Sequence, residues 1–293
     1  MTGGPDFGAI RSYLFVPSGN RRFVSKVSEM PPGERPGAVV VDLEDAVPEA
    51  EKGRARGELQ ESVKALAGLL PVMVRVNPYG SPHFDADVRQ AVMEGVCAVF
   101  LPKARDGGDA KRAADSIARE ESAKGLREGS VSLVPLVESA AGCSNLKEIC
   151  SSTLRLSAVG LGPGDYAMDM GLLWSKEGME YGLPRSLIPM EARAVGLPAI
   201  DGVYMDVSDA PSFEGDCRLG RRLGYSGRMV VHPAQVGAAN RLYRADERER
   251  EWAERVKAAY EEAAGRGRGA VKVDGQLVDL LHYKLARRIL SSA

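Results

Sequence analysis

The chain has 293 residues, of which 44% are hydrophobic and 27% charged, a globular composition long enough for one large domain or two small ones. Its 39 Lys and Arg residues nearly balance 40 Asp and Glu, so the net charge of -1 gives no reason to expect nucleic acid or an anionic membrane as the main partner. No stretch approaches the roughly 18 apolar residues of a membrane span, and the amino terminus lacks a basic segment followed by an apolar run, so a cytoplasmic protein is expected.

Short β-type runs recur along the chain with helix-like stretches between them. SYLFVP (12–17), AVVVDL (38–43), VMVRVN (72–77) and AVFLPK (98–103) make the first half of a series. SLVPLV (132–137), LSAVGLG (156–162), GVYMDV (202–207) and RMVVHP (228–233) complete it. Most of these runs are continuously apolar, which suits parallel strands covered on the outside. Between them, Pro48 to Lys52 leads into an Ala/Leu-rich helical stretch, and residues 107–123 carry apolar positions at helical spacing. Eight β-then-α units predict an α/β fold of the (β/α)8 TIM-barrel type rather than an open doubly wound sheet.

Beyond the eighth strand, Pro233 to Ala264 reads as one long helix with Trp252, Val256, Ala259, Tyr260 and Ala263 on one face. GRGRG (265–269) then reads as a flexible joint, with a phosphate site as the alternative, and Leu277 to Leu290 as a last apolar-periodic segment. The expected organisation is a TIM-barrel catalytic domain over residues 1–264 and a hinged C-terminal helical extension over 265–293. That extension packs either on its own barrel or on a neighbouring subunit. Cys97, Cys143, Cys150 and Cys217 form no C-x-x-C pair and read as buried or half-buried free thiols.

In such barrels the active site lies at the carboxyl ends of the strands. Those ends supply Glu44 and Asp45, Arg75 and Asn77, Lys103, Glu138, Asp165, Asp206 and His232. Clustered carboxylates repel one another unless a cation or a shared proton offsets them, and an all-oxygen donor set suits a hard divalent ion. Mg2+ is the first choice, with Mn2+ as an alternative, and Glu138 and Asp165 would suffice to hold it; the other reading of the two is a pair of solvated loop acids. Arg75 lies in an apolar strand and needs an anion: Glu44 or Asp45 as a salt-bridge partner, a substrate carboxylate or enolate oxygen, or both. Glu44 and Asp45 read as groups that orient Arg75 or water on the metal, and Asp42 as purely structural. Lys103 as a Schiff-base nucleophile would make a metal-free aldolase but leave the carboxylates without a purpose; otherwise it pairs with a neighbouring acid. His232 is either a general base or a hydrogen-bonded structural group. GLGPGD (160–165) reads as a tight turn that delivers Asp165, because an aspartate would repel phosphate.

Taken in order, RSYLFVPSGN (11–20), VVDLEDAV (40–47), VRVNP (74–78), FLPKA (100–104), PLVESAAG (135–142), GPGDYAMDMG (162–171), GLPAIDGVYMD (196–206), GYSGRMVVHPAQV (224–236) and VDGQLVD (273–279) carry a resemblance over nearly the whole chain. The chain resembles the citrate lyase beta subunit-like proteins, within the wider group of malyl-CoA lyases, citramalyl-CoA lyases and HpcH/HpaI-type aldolases. The resemblance implies a Mg2+-dependent barrel with Glu138 and Asp165 as metal ligands. It further implies Arg75, Arg11, Lys103 and Gly164 as substrate contacts, with Arg75, Glu44 and Asp45 in the catalytic set. Asp279 matches an acid that family lyases bring from the C-terminal segment of a neighbouring subunit, which implies a homotrimer or a multiple of it.

The implied reaction is reversible cleavage of a 3-hydroxyacyl-CoA, such as malyl-, citramalyl- or citryl-CoA, into an acyl-CoA and a 2-oxo acid. The alternatives are a malyl-CoA thioesterase, a metal-dependent 2-oxo acid aldolase that works without CoA, and a non-catalytic assembly subunit. Two positions depart from the family pattern: Gly164 stands where many relatives carry a side chain, and Leu281 replaces a proline common after the tail aspartate.

Overall fold

The computed structural model describes residues 4–291 apart from Trp174, Lys176 and Glu177. The chain forms two compact units, residues 1–240 and 241–293.

The first unit alternates strand and helix in chain order: β1 (Ser12–Pro17), α1 (Arg21–Ser28), β2 (Ala38–Asp42), α2 (Lys52–Leu66), β3 (Val72–Arg75), α3 (Phe84–Ala91), β4 (Val96–Leu101) and α4 (Gly107–Ala123). There follow β5 (Ser132–Val137), α5 (Ala140–Ser144), α6 (Leu146–Cys150), β6 (Val159–Leu161), α7 (Pro163–Asp169), α8 (Gly182–Ala194), β7 (Ala199–Asp201), α9 (Ala210–Leu223), β8 (Gly227–Val230) and α10 (Pro233–Leu242). The eight strands are parallel, pair in sequence order, and close with β1 beside β8. This is the expected TIM barrel.

Alternate residues of each strand fill its interior. Tyr13, Ala38, Val40, Met73, Ala98, Phe100, Val134, Leu136, Ala158, Ile200 and Met229 form one buried cluster, which Phe7 and Ile10 join. The same two-residue parity carries upward from Val40 to Asp42 and Glu44, from Met73 to Arg75 and Asn77, and from Leu136 to Glu138. The polar residues of the rim therefore continue the packed interior layers.

Strands six and seven differ from expectation. β6 is only Val159–Leu161, preceded by a single bridge from Leu156 to Leu133. β7 is Ala199–Asp201 rather than residues 202–207. At Gly202 the chain passes so close to the Pro163 ring that a Cβ there would lie 2.5 Å from Pro163 Cδ, and the strand gives way to a loop. Asp201, in β7, is buried in an ion-pair network on the barrel's outer side. It accepts from Arg185 of α8 at 3.1 and 2.6 Å and lies 3.5 Å from Arg228 of β8. Asp216 of α9 pairs with the same two guanidiniums, at 2.5 Å from Arg185 and 2.6 Å from Arg228. The network fastens α8 and α9 to the last two strands.

The second unit contains α11 (Glu247–Gly265), an antiparallel hairpin of β9 (Ala270–Val273) and β10 (Gln276–Asp279), and α12 (Leu280–Ser291). Three expectations are corrected here. The helix read over 233–264 is two helices, because Asp246 starts α11 with a capping box to Glu249. GRGRG is no joint between units: the N–H of Arg268 returns to the Ala263 carbonyl and closes α11 inside the second unit. The apolar segment from Leu277 begins as a strand, since Asp274 and Gly275, at φ 49° and 84°, make a two-residue hairpin turn. The boundary thus falls at 240/241 instead of 264/265. The physical reason is a shared core, in which Ala253 and Val256 of α11 meet Val278 of β10 and Ala286 of α12.

No helix among the described residues is long and apolar enough to cross a membrane. All four cysteines are free; Cys97 and Cys143 are half-buried, and Cys150 and Cys217 are buried.

Candidate active site

Interior parity places Arg75 beneath the mouth of the barrel, with its guanidinium over the Phe15 ring at 5.0 Å. Its Nε and Nη2 donate to the two oxygens of Asp42 at 2.7 and 2.6 Å, a bidentate pair. Its Nη1 lies 2.9 Å from Glu44 and 3.6 Å from Asp45. Burial works against the charge on Arg75, but the Asp42, Glu44 and Asp45 carboxylates outweigh it and raise the pKa. Asp42, read from the sequence as purely structural, is therefore the partner that fixes the orientation of the arginine.

Glu44 is buried and bridges two cations, since Lys103 Nζ donates to its Oε1 at 2.8 Å while Arg75 approaches Oε2. The backbone that carries it is anchored from below. Lys52, a buried lysine at the start of α2, donates to the carbonyls of Leu43 and Glu44, both at 3.1 Å. Asn77 donates to the Leu43 carbonyl at 2.9 Å and is itself held by Asp87, which pairs with Arg56 at 2.7 Å. Lys52, Asp87 and Arg56 were not singled out in the sequence. Asp45 is more than half exposed and stands beside the pair as an outer acid.

Glu138, at the carboxyl end of β5, is 2% exposed. One oxygen accepts the backbone N–H of Lys103 at 2.6 Å. Burial, with the Asp165 and Glu44 charges adding to it, pushes its carboxyl up to about 8. Asp165 lies in the first turn of α7, and its Oδ1 is 3.3 Å from Lys103 Nζ. Gly164 precedes it in the same turn. Gly162 makes the crossing feasible, because a Cβ there would collide with the Glu138 carboxylate. Gly162→Ala is accordingly expected to displace Glu138 and weaken Mg2+ binding by about tenfold or more in calorimetry, with the barrel still folded.

Lys103 has φ 53°, in the left-handed region that non-glycine residues seldom occupy. Burial opposes its positive charge, but the Glu44 hydrogen bond and the Glu44, Asp165 and Asp45 charges raise its pKa overall. An ammonium so held is a poor Schiff-base nucleophile, which requires the neutral amine.

The remaining sequence candidates separate from this cluster. Arg11 precedes β1 at the amino end of the barrel, opposite the site, and donates to the carbonyls of Gly8 and Ser226 at 2.6 and 2.9 Å. It satisfies backbone there and is not a substrate contact. Asp206 lies in the loop beyond β7 and accepts from the Ser208 N–H and hydroxyl. His232 accepts the Ala234 N–H on Nδ1 at 3.2 Å, the structural role. Asp279 belongs to the second unit, where its carboxylate meets His282 Nδ1 at 2.7 Å. That hydrogen bond holds the Asp279 carboxyl below its ordinary range.

Among the described residues no three His, Cys, Asp or Glu side chains converge as a ready-made metal cage. The donor set fits a hard cation nonetheless, since Mg2+ commonly takes one or two protein carboxylates and keeps other positions for water and substrate. Glu138 and Asp165 are such a pair, both in contact with Lys103 and set above the packed interior.

Comparison with known proteins gives the chain's relatives. The profile of the family HpcH/HpaI aldolase/citrate lyase matches residues 11–233. A citrate lyase subunit beta-like protein from Deinococcus radiodurans is 34% identical over 289 residues, 96% of each chain. A (3S)-malyl-CoA thioesterase from Cereibacter sphaeroides is 32% identical over 290 residues, 97% of this chain and 94% of the relative. In structure, the CitE protein of Mycobacterium tuberculosis, in complex with magnesium, acetoacetate and coenzyme A, superposes with a TM-score of 0.78 at 24% identity. It covers 100% of this chain and 99% of its own. At that identity the likeness bears on fold alone.

Proposed function

Because the chain belongs to the HpcH/HpaI aldolase/citrate lyase family, we propose that it is a Mg2+-dependent carbon–carbon lyase acting on a 3-hydroxyacyl-CoA such as malyl-, citramalyl- or citryl-CoA. It would cleave this substrate to an acyl-CoA and a 2-oxo acid, or form it from them. The observation that carries the reading is Glu138, a carboxyl buried at the rim beside Asp165 and within the same cluster as a fixed guanidinium.

Glu138 and Asp165 would hold Mg2+, which supplies Lewis-acid polarisation of the substrate's hydroxyl or keto oxygen. Arg75 keeps two of its five N–H groups on Asp42, and its Nη1, 2.9 Å from Glu44, would stabilise negative charge as the C–C bond breaks. Glu44 and Asp45 hold Arg75 and Lys103 in place around that charge. Lys103 and the side-chain-free Gly164 would border the 2-oxo acid. Asp279, kept ionised by His282, would exchange a proton with the thioester enolate, contributed by a neighbouring subunit of a homotrimer. Exposed apolar side chains support such an assembly: Met168, Leu173, Met179 and Leu183 in the first unit, and Leu277 and Leu281 in the second.

A second reading, hydrolysis of the malyl-CoA thioester, is favoured by the thioesterase relative. One experiment separates the two: paired acyl-CoAs and 2-oxo acids are incubated with the protein and Mg2+, and products are identified by mass. A new 3-hydroxyacyl-CoA supports the lyase, whereas a free hydroxy acid with released CoA supports the thioesterase. Turnover of 2-oxo acids with no thioester present would point to an aldolase. Chelation and Glu138→Ala are both expected to abolish product, and turnover indifferent to chelation would sink the metal reading.

A further inference from the structure

Lys103 touches both expected metal ligands. Its main-chain N–H takes one oxygen of Glu138 at 2.6 Å, while its ammonium lies 3.3 Å from Asp165, 2.8 Å from Glu44 and 3.8 Å from Asp45. The left-handed backbone lets the two ends diverge in this way. Only one other non-glycine residue among the described ones has positive φ, Asp274, and that one makes a hairpin turn. Strain at a rim residue that also contacts three acids is a functional signal rather than a turn requirement.

The other lysine of the site makes the contrast. Lys52 is 8% exposed and its ammonium is spent on two carbonyls. The Lys103 side chain is 38% exposed and its ammonium meets only carboxylates, so it has both a reason to sit among them and a route out to water.

We propose that the Lys103 ammonium is a built-in rival of the divalent ion: it neutralises the carboxylate cluster when no metal is bound and opposes metal entry by its charge. The inference rests on the metal reading given above. Two cations drawn to one carboxylate repel each other, and at 3–4 Å near a protein surface that repulsion is large enough to change affinity by about tenfold or more. The metal-free protein gains order from Lys103, and the loaded site is weakened by it. A lysine present only to support the fold would do neither in opposition, and one present only to bind substrate would leave metal affinity alone.

The test uses the full chain with Lys103→Gly, which keeps the backbone donor and suits a positive φ, and Lys103→Met, should the glycine variant fold poorly. Mn2+ affinity is measured by electron paramagnetic resonance or calorimetry, and melting is followed with and without the ion. The expected result is Mn2+ binding about tenfold tighter than wild type, with a lower metal-free melting temperature. The melting shift on adding the ion therefore widens, and Lys103→Arg, which keeps the charge, stays near wild type. Equal or weaker Mn2+ binding in a folded Lys103→Gly or Lys103→Met variant overturns this inference alone. Absence of Mn2+ and Mg2+ binding in the wild type overturns it together with the metal reading.

Discussion

Arg75→Ala is expected to lower turnover by at least about a hundredfold and stability by about 3–5 kcal/mol, in one substitution. The second effect follows from what remains. Asp42, 1% exposed at its side chain, would keep its charge and lose both guanidinium donors, while Glu44 would retain only Lys103. Arg75→Lys tests the geometry rather than the charge, since an ammonium cannot reach two oxygens of Asp42 and also face Glu44. It is expected to recover part of the stability and little of the activity. Asp42→Asn, which would not touch substrate, should raise the KM for the 2-oxo acid as the guanidinium loses its fixed orientation. Unchanged kinetics in that variant would remove Asp42 from the site.

Asp201→Ala is expected to reach a similar loss of stability, about 3–5 kcal/mol, with no change in the kinetic constants of the molecules that remain folded. Arg185 and Arg228, with side chains 3% and 1% exposed, would both lose that carboxylate. Each acid therefore anchors a guanidinium, yet only one of the two networks opens onto the barrel mouth. Thermal unfolding followed beside steady-state kinetics distinguishes them. A changed KM in folded Asp201→Ala would mean that the outer network also shapes the site.

The barrel was legible because its strands are apolar runs of one kind, repeated at intervals that leave room for a helix. Glu138, Asp165, Glu44 and Arg75 were legible as polar ends of those runs. Asp42 was not, although the parity that places Val40 inside also places residue 42 inside, and the same rule applied at Met73 and Arg75 would have paired them. Lys52 escaped because its work is on backbone carbonyls, which leave no pattern in side-chain chemistry, and Asp87 because it reaches the site only through Asn77. Arg11 entered through the resemblance alone, and its place before β1 sets it at the amino end of the strand, away from the rim cluster. The GVYMDV run misled in the same region for another reason: Tyr204 is buried in a loop, and apolar character there reports packing without strand pairing. In the tail, the Asp-Gly pair at 274–275 and the Asp-x-x-Glu at 246–249 are the local hairpin and helix-start signals that set the element boundaries.

Gly162 also sets limits on how this chain can diverge. The space that a methyl group would need there is already filled by the Glu138 carboxylate, so the two positions are sterically coupled. A side chain at 162 requires the Glu138 side chain to move aside or be shortened, and either change disturbs the acid that would hold the metal. Any substitution at 162 is therefore read out at residue 138, on the neighbouring strand end.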